Sequence, residues 1–187
     1  MIIIPRWLQR KVTRKLYQCM QIKSYIFYVS SFTQDTSGTT GQPKGIVRDT
    51  GGTVVILNFA MDVILGVHPK DVWFAASDIG WVVGHSFIVY GPLIRGAATI
   101  MFEGKPVGTP DAGVFWRVLE EYGCHSLYCA PTAMRIIKKF DYKGEFIKKY
   151  DLSKVKNLHV VGERCDPDTI KWMTENFPGK FLNDNYW

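Results

Sequence analysis

The chain has 187 residues, of which 47% are hydrophobic and 21% are charged, and this composition is typical of one globular domain. Its formal net charge of +6 comes entirely from residues 1–34, which contain six basic residues and no acidic one. Because residues 35–187 are balanced in charge, the composition gives no support for a nucleic-acid-binding protein.

Residues 1–34 form a basic N-terminal segment that differs in composition from the rest of the chain. Its charges at positions 6, 10, 11, 14 and 15 would share one face of a helix, which is typical of a mitochondrial transit peptide or a membrane-surface helix. An aberrant start of the coding sequence is a third alternative, and all three stay open. A transit peptide would direct the protein to the mitochondrial matrix; the alternative location is the cytoplasm. The segment contains no apolar run long enough to span a bilayer.

The next feature is a loop over residues 36–45 that is rich in glycine and hydroxyl side chains and ends in Pro-Lys-Gly. Glycines let backbone amides approach an anion without obstruction by a Cβ atom, and hydroxyl groups donate hydrogen bonds to phosphate oxygens. The residues with these properties, together with one lysine, are Thr36, Ser37, Gly38, Thr39, Thr40, Gly41 and Lys44. The sequence therefore predicts a site for the phosphates of a nucleoside triphosphate.

Two other interpretations fit this loop less well. A Walker loop has a longer spacing between its glycines than Gly38 and Gly41 show, and it leads into a helix, whereas Ile46 and Val47 predict a strand. A flexible linker has a similar composition, but a linker does not need a stiff Pro-Lys-Gly end next to a strand. Phosphate binding remains the preferred interpretation.

From residue 45 onward, short β-branched or aromatic runs alternate with amphipathic stretches, which predicts an α/β domain over residues 35–187. Helices are predicted over residues 53–65, 84–94, 112–122, 131–140 and 166–177. Strands are predicted over residues 71–75, 98–102, 126–129 and 158–161, with another beginning at residue 180. Asp166 and Pro167 are typical of a helix start, and Gly96 is typical of a helix end.

In an open α/β sheet, ligands lie beyond the carboxyl ends of the strands, so the residues after each strand are the functional candidates. Four segments occupy such positions: residues 77–85, 130–133, 162–164 and 184–187. The cysteines and histidines lack the spacing of a zinc site, and no metal ligand is assigned. Four cysteines without a disulfide framework indicate a reducing compartment.

Several short motifs follow one another along residues 36–187. They are the glycine and threonine loop, Ser77-Asp-Ile-Gly-Trp-Val-Val-Gly-His-Ser, Phe102-Glu-Gly-Lys-Pro, Tyr128-Cys-Ala-Pro-Thr-Ala and Val161-Gly-Glu. In this order they resemble the adenylate-forming superfamily, and most closely its AMP-forming short-chain acyl-CoA synthetases, which use propionate or acetate. The resemblance implies a partial N-terminal domain of that fold, with mixed sheets flanked by helices. Residues 1–34 resemble nothing in the family.

The resemblance also implies roles for individual residues. The loop from Thr36 to Lys44 would bind the phosphates of ATP, and Ala133 would line the CoA channel. The acyl pocket would be lined by Trp81, Val82, Val83, Val161 and Trp187, and the adenine site by Gly162, Glu163, Arg164, Asp184, Asn185 and Tyr186. No catalytic residue is implied, because adenylation uses an already ionised carboxylate. Acetyl-CoA synthetases tend to have threonine where Val83 stands, so Val83 favours propionate.

The cofactors implied by the resemblance are ATP, Mg²⁺ and the co-substrate CoA, and the partner molecule is a small carboxylate. In the family, a glutamate that holds Mg²⁺ and a mobile C-terminal domain follow the position of Trp187. The chain is therefore expected to be an internal piece of a synthetase, weak or inactive alone. The alternative is a non-catalytic isoform that binds a nucleotide or a partner protein. The sequence indicates no oligomeric state.

Overall fold

The structure of the protein is a computed structural model that describes residues 2–3, 30–36 and 44–186, with side chains described from residue 47 onward. Every helix and strand predicted between residues 53 and 186 has a counterpart in it, so the predicted α/β class is confirmed. No helix in this described part of the chain is long and apolar enough to cross a membrane.

The strands of the described residues are β1 (Ile2–Ile3), β2 (Ser30–Thr36), β3 (Lys44–Asp49), β4 (Val72–Ala76), β5 (Ala98–Met101), β6 (Ser126–Cys129), β7 (Asn157–Val161) and β8 (Phe181–Asn185). The α-helices are α1 (Thr50–Phe59), α2 (Gly91–Arg95), α3 (Val114–Glu121), α4 (Pro131–Phe140) and α5 (Pro167–Asn176). Two π-helices adjoin them: Ala60–Ile64 continues α1, and Gly84–Tyr90 leads into α2. A short 3₁₀-helix covers Ile147–Lys149.

Local hydrogen bonds set the ends of these helices. Helix α1 begins earlier than predicted, because the carboxylate of Asp49 accepts a hydrogen bond from the N–H of Gly52 at 2.6 Å. Helix α5 begins where it was predicted, and the carboxylate of Asp166 accepts a hydrogen bond from the N–H of Thr169 at 2.9 Å. Helix α2 ends at Gly96, whose φ of 77° is a left-handed value that glycine adopts readily.

Six strands form one sheet in the order β1-β5-β4-β6-β7-β8. Strands β5, β4, β6, β7 and β8 are parallel, and β1 pairs antiparallel with β5. The chain passes from β4 to β5 on one side and returns to β6 on the other, so the direction of winding reverses at β4 and β6. Strands β2 and β3 form a separate antiparallel hairpin in which Thr36 pairs with Lys44.

Both faces of the sheet are covered around β4, as is usual for parallel strands. Phe74 lies on one face, in a buried cluster with residues of α3, α4 and α5. Trp73 lies on the other face, in a second cluster that contains Met61 and Ile88 from the two π-helices. Both Trp73 and Phe74 are fully buried. These two layers of helices fix the parallel strands, whose carboxyl ends form one edge of the sheet.

Candidate functional site

A cavity of about 470 Å³ opens beyond the carboxyl ends of β4 and β5, next to helix α4, and the winding of the sheet reverses beside it, between β4 and β6. Ligands of doubly wound sheets bind at such a switch point. The lining of this switch-point cavity is mostly apolar with two carboxylates, and comprises Ala76, Ser77, Asp78, Ile79, Ile88, Met101, Phe102, Glu103, Gly104, Pro106, Phe115 and Ala133. Ala133, assigned to the CoA channel by resemblance, thus faces a cavity large enough to admit part of a ligand.

The turn after β4 is held by a close backbone contact. A Cβ atom at Gly84, the first residue of the second π-helix, would lie only 2.4 Å from the Cα atom of Ile79, so this position requires glycine. The carboxylate of Asp78 accepts a hydrogen bond from the N–H of Gly80 at 2.7 Å. This turn therefore presents a fixed backbone to the switch-point cavity.

A second cavity, of about 440 Å³, opens at the ends of β7 and β8. This strand-end cavity is lined by Gly162, Glu163, Arg164, Asp184, Asn185 and Tyr186, which are the six residues that the resemblance assigned to adenine. The structure brings them together from two separate segments of the chain. Gly162 has a left-handed φ of 98°, and Tyr186 is fully exposed. Asp184 and Asn185 still pair with β7, so they belong to the end of β8.

The carboxylate of Glu163 is bound to the start of helix α4. It accepts hydrogen bonds from the N–H of Thr132 at 3.0 Å and from the hydroxyl group of Thr132, and it pairs with the guanidinium of Arg135 at 2.6 Å. The hydrogen bonds from Thr132 and then from Arg135 lower the pKa of Glu163. The same contact with Glu163 raises the pKa of Arg135. These contacts join the loop after β7 to the helix that carries Ala133.

The same loop has two further attachments. The carboxylate of Asp184 accepts a hydrogen bond from the N–H of Cys165 at 3.2 Å, which links the loop to β8. Asp166 caps α5, and the hydrogen bond from the N–H of Thr169 lowers the pKa of this carboxyl group. Burial of Cys165 raises the pKa of its thiol to about 11, so the sulfur stays protonated at neutral pH.

The residues assigned to the acyl pocket differ in how deeply they are buried. Val83 and Val161 belong to one buried apolar cluster with Trp73 and Tyr128. Val82 is half-buried, and the side chain of Trp81 is 58% exposed. The structure therefore brings Val83 and Val161 together and leaves Trp81 at the surface. Trp187 lies outside the described residues.

Much of the predicted phosphate loop also lies outside the described residues, namely Ser37, Gly38, Thr39, Thr40 and Gly41. The backbone on either side of it is described: Thr36 ends β2, Lys44 begins β3, and the two residues pair with each other. The predicted strand at Ile46 and Val47 is confirmed as part of β3. A strand rather than a helix follows Lys44, which agrees with the exclusion of a Walker loop.

Thr132 falls within the candidate segment 130–133, but sequence reasoning assigned it no contact with Glu163, and it missed Arg135 altogether. Their partner Glu163 lies about thirty positions further along the chain, and no local pattern connects residues at that separation. Their spacing was the available signal, because residues three apart at the start of a helix share one face. The segment Phe102-Glu-Gly-Lys-Pro was noticed as a motif, and the structure places most of it in the lining of the switch-point cavity.

Comparisons with known proteins agree with this architecture. A family model described as "AMP-binding enzyme" matches residues 32–187. Acyl-CoA synthetase short-chain family member 3, mitochondrial, from Mus musculus is 48% identical over 185 residues, which cover 97% of this chain and 26% of that relative. Propionate–CoA ligase from Salmonella typhimurium is 50% identical over 152 residues, which cover 81% of this chain and 24% of that relative.

A solved structure is also similar. Acetoacetyl-CoA Synthetase from Streptomyces lividans matches with a TM-score of 0.71 and 26% identity, over 81% of this chain and 23% of that one. The chain thus spans about a quarter of the length of the relatives it matches. The mouse alignment includes most of residues 1–34, and the division of the chain at residue 35 stays a prediction. With a family model that covers residues 32–187 and a matching fold, the chain belongs to the AMP-binding enzyme family.

Proposed function

We propose that this chain is the nucleotide-binding part of an AMP-forming acyl-CoA ligase that activates propionate or acetate. The observation that carries the proposal is the strand-end cavity, because the six residues assigned to adenine line it from two separate segments. The names of the mouse and Salmonella relatives, a short-chain acyl-CoA synthetase and a propionate–CoA ligase, support the same activity.

The proposed reaction has two steps. A carboxylate oxygen attacks the α-phosphorus of ATP, an acyl-AMP forms and pyrophosphate leaves. The thiolate of CoA then attacks the acyl carbonyl carbon, a thioester forms and AMP leaves. The first step depends on fixing the phosphates and offsetting their charge rather than on a general base, so we assign no catalytic residue.

The strand-end cavity has features that suit an adenosine group. Gly162 lacks a Cβ atom and has a left-handed backbone, so a base can approach the main chain closely. The exposed ring of Tyr186 offers a stacking surface, and Asp184 and Asn185 offer polar groups beside it. Glu163 would contribute its backbone, because Oε1 of its carboxylate directs the side chain toward Thr132 and Arg135.

In the proposal, the loop between Thr36 and Lys44 binds the β- and γ-phosphates of ATP. The pairing of Thr36 with Lys44 supports this, since it brings the two ends of a loop rich in glycine and hydroxyl groups together. Mg²⁺ would accompany ATP. Among the described residues, no group of three His, Cys, Asp or Glu side chains could hold a metal ion, so we assign Mg²⁺ no ligand and no step in this chain.

The acyl group would lie near Trp81, Val82, Val83, Val161 and Trp187, and the pantetheine arm of CoA would enter the switch-point cavity past Ala133. Val83 and Val161 belong to the same buried apolar cluster, which would supply an apolar wall beside the acyl group. One methylene in such a pocket changes binding by about 1–3 kcal/mol. Valine at position 83 therefore favours propionate over acetate by a modest factor.

A non-catalytic isoform that binds a nucleotide or a partner protein is the second candidate. The observation that favours it is an apolar surface on α1 and the π-helix after it, where Val55, Phe59 and Val63 are each more than half exposed. Contiguous exposed apolar residues are typical of a surface that another protein layer covers.

Binding of ATP to the chain and to Lys44→Ala tests the proposal. We expect saturable binding that is at least about tenfold weaker in Lys44→Ala, because the lysine charge offsets the phosphates. Lys139→Ala, in which an exposed lysine of α4 is removed, is the control and should bind normally. Binding that is unchanged in Lys44→Ala would contradict the phosphate site.

Pyrophosphate release with propionate, ATP and CoA separates the two candidates. Release from the chain, or from a longer protein that contains it, supports the ligase. ATP binding without acyl-AMP formation in the longer protein supports the non-catalytic isoform.

We also propose the mitochondrial matrix as the location, on the basis of residues 1–34 and the mouse relative described as mitochondrial. Residues 1–34 fused to a fluorescent protein should direct it to mitochondria. A diffuse cytoplasmic signal would support the alternative location.

A further inference from the structure

Arg135 is a cation that contacts three groups near the strand-end cavity without lining it. Its guanidinium pairs with Glu163 at 2.6 Å and with Asp166 at 3.4 Å, and it donates a hydrogen bond to the hydroxyl oxygen of Thr132 at 3.2 Å. Glu163 and Asp166 bracket the loop that follows β7. A planar guanidinium with several fixed donors is suited to holding two carboxylates at once, which a lysine ammonium does less well.

The carboxylate of Glu163 faces α4. It accepts hydrogen bonds from both the N–H and the hydroxyl group of Thr132 in addition to its ion pair with Arg135. All of these contacts are made by one carboxylate oxygen, Oε1, so they direct the side chain toward α4 while the backbone of Glu163 lines the loop side of the strand-end cavity. The side chain of Glu163 therefore links the loop that contains Gly162 and Arg164 to the start of helix α4.

We propose that Arg135 is a positioning residue of the nucleotide site, which fixes the loop over residues 162–166 against helix α4. The inference rests on the proposed function, since it assumes that this loop contacts the adenosine group. Ala133 lies between Thr132 and Arg135 and lines the switch-point cavity. The same contacts therefore link the helix that lines one cavity to the loop that lines the other.

Loss of the Arg135 contacts is expected to weaken ATP binding more than it lowers the free energy of unfolding. The side chains of Arg135, Glu163 and Asp166 are 36–43% exposed, and ion pairs at such exposure add little to the free energy of unfolding. A loop that is no longer fixed must be ordered when the ligand binds, so the loss appears in affinity. Arg135 thus acts on the site more than on the fold.

The test measures ATP binding to the chain and to Arg135→Gln, with Lys139→Gln as the charge-matched control on the same helix. Arg135→Gln should bind ATP about tenfold more weakly, Lys139→Gln should bind normally, and Arg135→Lys should fall between them. The ¹³C titration of the Glu163 carboxyl group gives a second readout. Its pKa should rise in Arg135→Gln and stay low in Lys139→Gln.

The possible results test the positioning role of Arg135 and the proposed function separately. Equal ATP affinity of Arg135→Gln and Lys139→Gln would overturn the positioning role and leave the proposed function standing. A Glu163 pKa that does not change in Arg135→Gln would show that the ion pair is absent in solution, and would also overturn it. If the unmodified chain does not bind ATP, the proposed function fails, and the positioning role fails with it.

Discussion

Helices α1 and α3 bury their apolar residues in different ways. Helix α3 buries Trp116, Val118 and Leu119 and directs its charged residues outward, as an amphipathic surface helix does. Helix α1 and its π-helical extension are apolar on two sides: Leu57 and Met61 are buried, whereas the opposite side is exposed. The exposed residues, each between 48% and 67% accessible, are Val55, Ile56, Phe59, Val63 and Ile64.

This difference shows which helical layer has its apolar residues fully covered within the described residues. On the α3 side, the apolar residues are buried and the charged residues face outward, as on the surface of a complete domain. The α1 side follows the pattern of a helix covered on both sides, and the described residues cover only one of them. A partner protein would cover this exposed side in the proposed non-catalytic isoform, and the rest of the protein would cover it in a longer ligase; the chain spans about a quarter of the relatives it matches.

The largest effect is expected on the α3 side. Trp116 is fully buried and packs against Phe177 with a ring separation of 5.1 Å. Trp116→Ala should lower the free energy of unfolding by about 3–5 kcal/mol in urea denaturation, because it leaves a cavity. Arg117→Ala, one position along on the outer side, should change it by less than about 1 kcal/mol. Equal losses in the free energy of unfolding would contradict the assignment of Trp116 to the buried side of α3 and Arg117 to its outer side.

The next effect concerns the buried imidazole of His159 on the α1 side of the sheet. It packs among the rings of Trp73, Tyr128 and Phe181 at 5.9, 6.3 and 6.4 Å, and burial lowers its pKa to about 4. Between about pH 6.5 and pH 4 the unfolded state therefore binds a proton that the folded state does not. The free energy of unfolding should fall over this range, by on the order of 3 kcal/mol in total.

His159→Phe isolates this contribution from that of the carboxyl groups. The variant keeps an apolar ring in the cluster but has no group that titrates in this range. Urea denaturation at pH 7 and at pH 4.5 should show a smaller loss of stability on acidification than in the unmodified chain. An equal loss in the two proteins would show that His159 is solvated.

A smaller effect is expected at the start of α1. The carboxylate of Asp49 caps this helix by accepting a hydrogen bond from the N–H of Gly52. Asp49→Ala should lower the free energy of unfolding by about 1 kcal/mol, and Asp49→Asn, which keeps an acceptor oxygen, should restore most of it. If Asp49→Asn is as unstable as Asp49→Ala, charge rather than capping is responsible.

The smallest effect is expected on the exposed side of α1. Phe59 is 51% exposed, so Phe59→Ala should change the free energy of unfolding by no more than about 0.5 kcal/mol. Leu57→Ala, on the buried side of the same helix, should cost about 2–5 kcal/mol. Similar losses for both substitutions would show that the outer side of α1 is covered in the isolated chain.

Local patterns were sufficient to predict the strands and α-helices between residues 53 and 186, but not β1 or β2. The apolar periodicity located α3 and α4, and Asp166 with Pro167 located the start of α5. The earlier start of α1 depends on the cap at Asp49, which lies before the apolar periodicity begins. The two π-helices were not predicted, because their apolar spacing resembles that of an α-helix.

The candidate site was predictable where it depends on strand ends. The carboxyl ends of parallel strands meet at one edge, so Gly162 and Asn185 could be expected to approach each other. The contact between Arg135 and Glu163 could not, because it depends on side-chain directions between segments distant in sequence. The assignments of Ser37–Gly41 and Trp187, outside the described residues, stay predictions.

Amide hydrogen exchange with and without ATP tests most directly whether the strand-end cavity holds the nucleotide. We predict slower exchange at Gly162, Glu163 and Arg164 and at residues 184–186 when ATP is bound, together with residues 37–44. Exchange at these two strand ends that is unchanged at saturating ATP, while other amides are protected, would contradict the account.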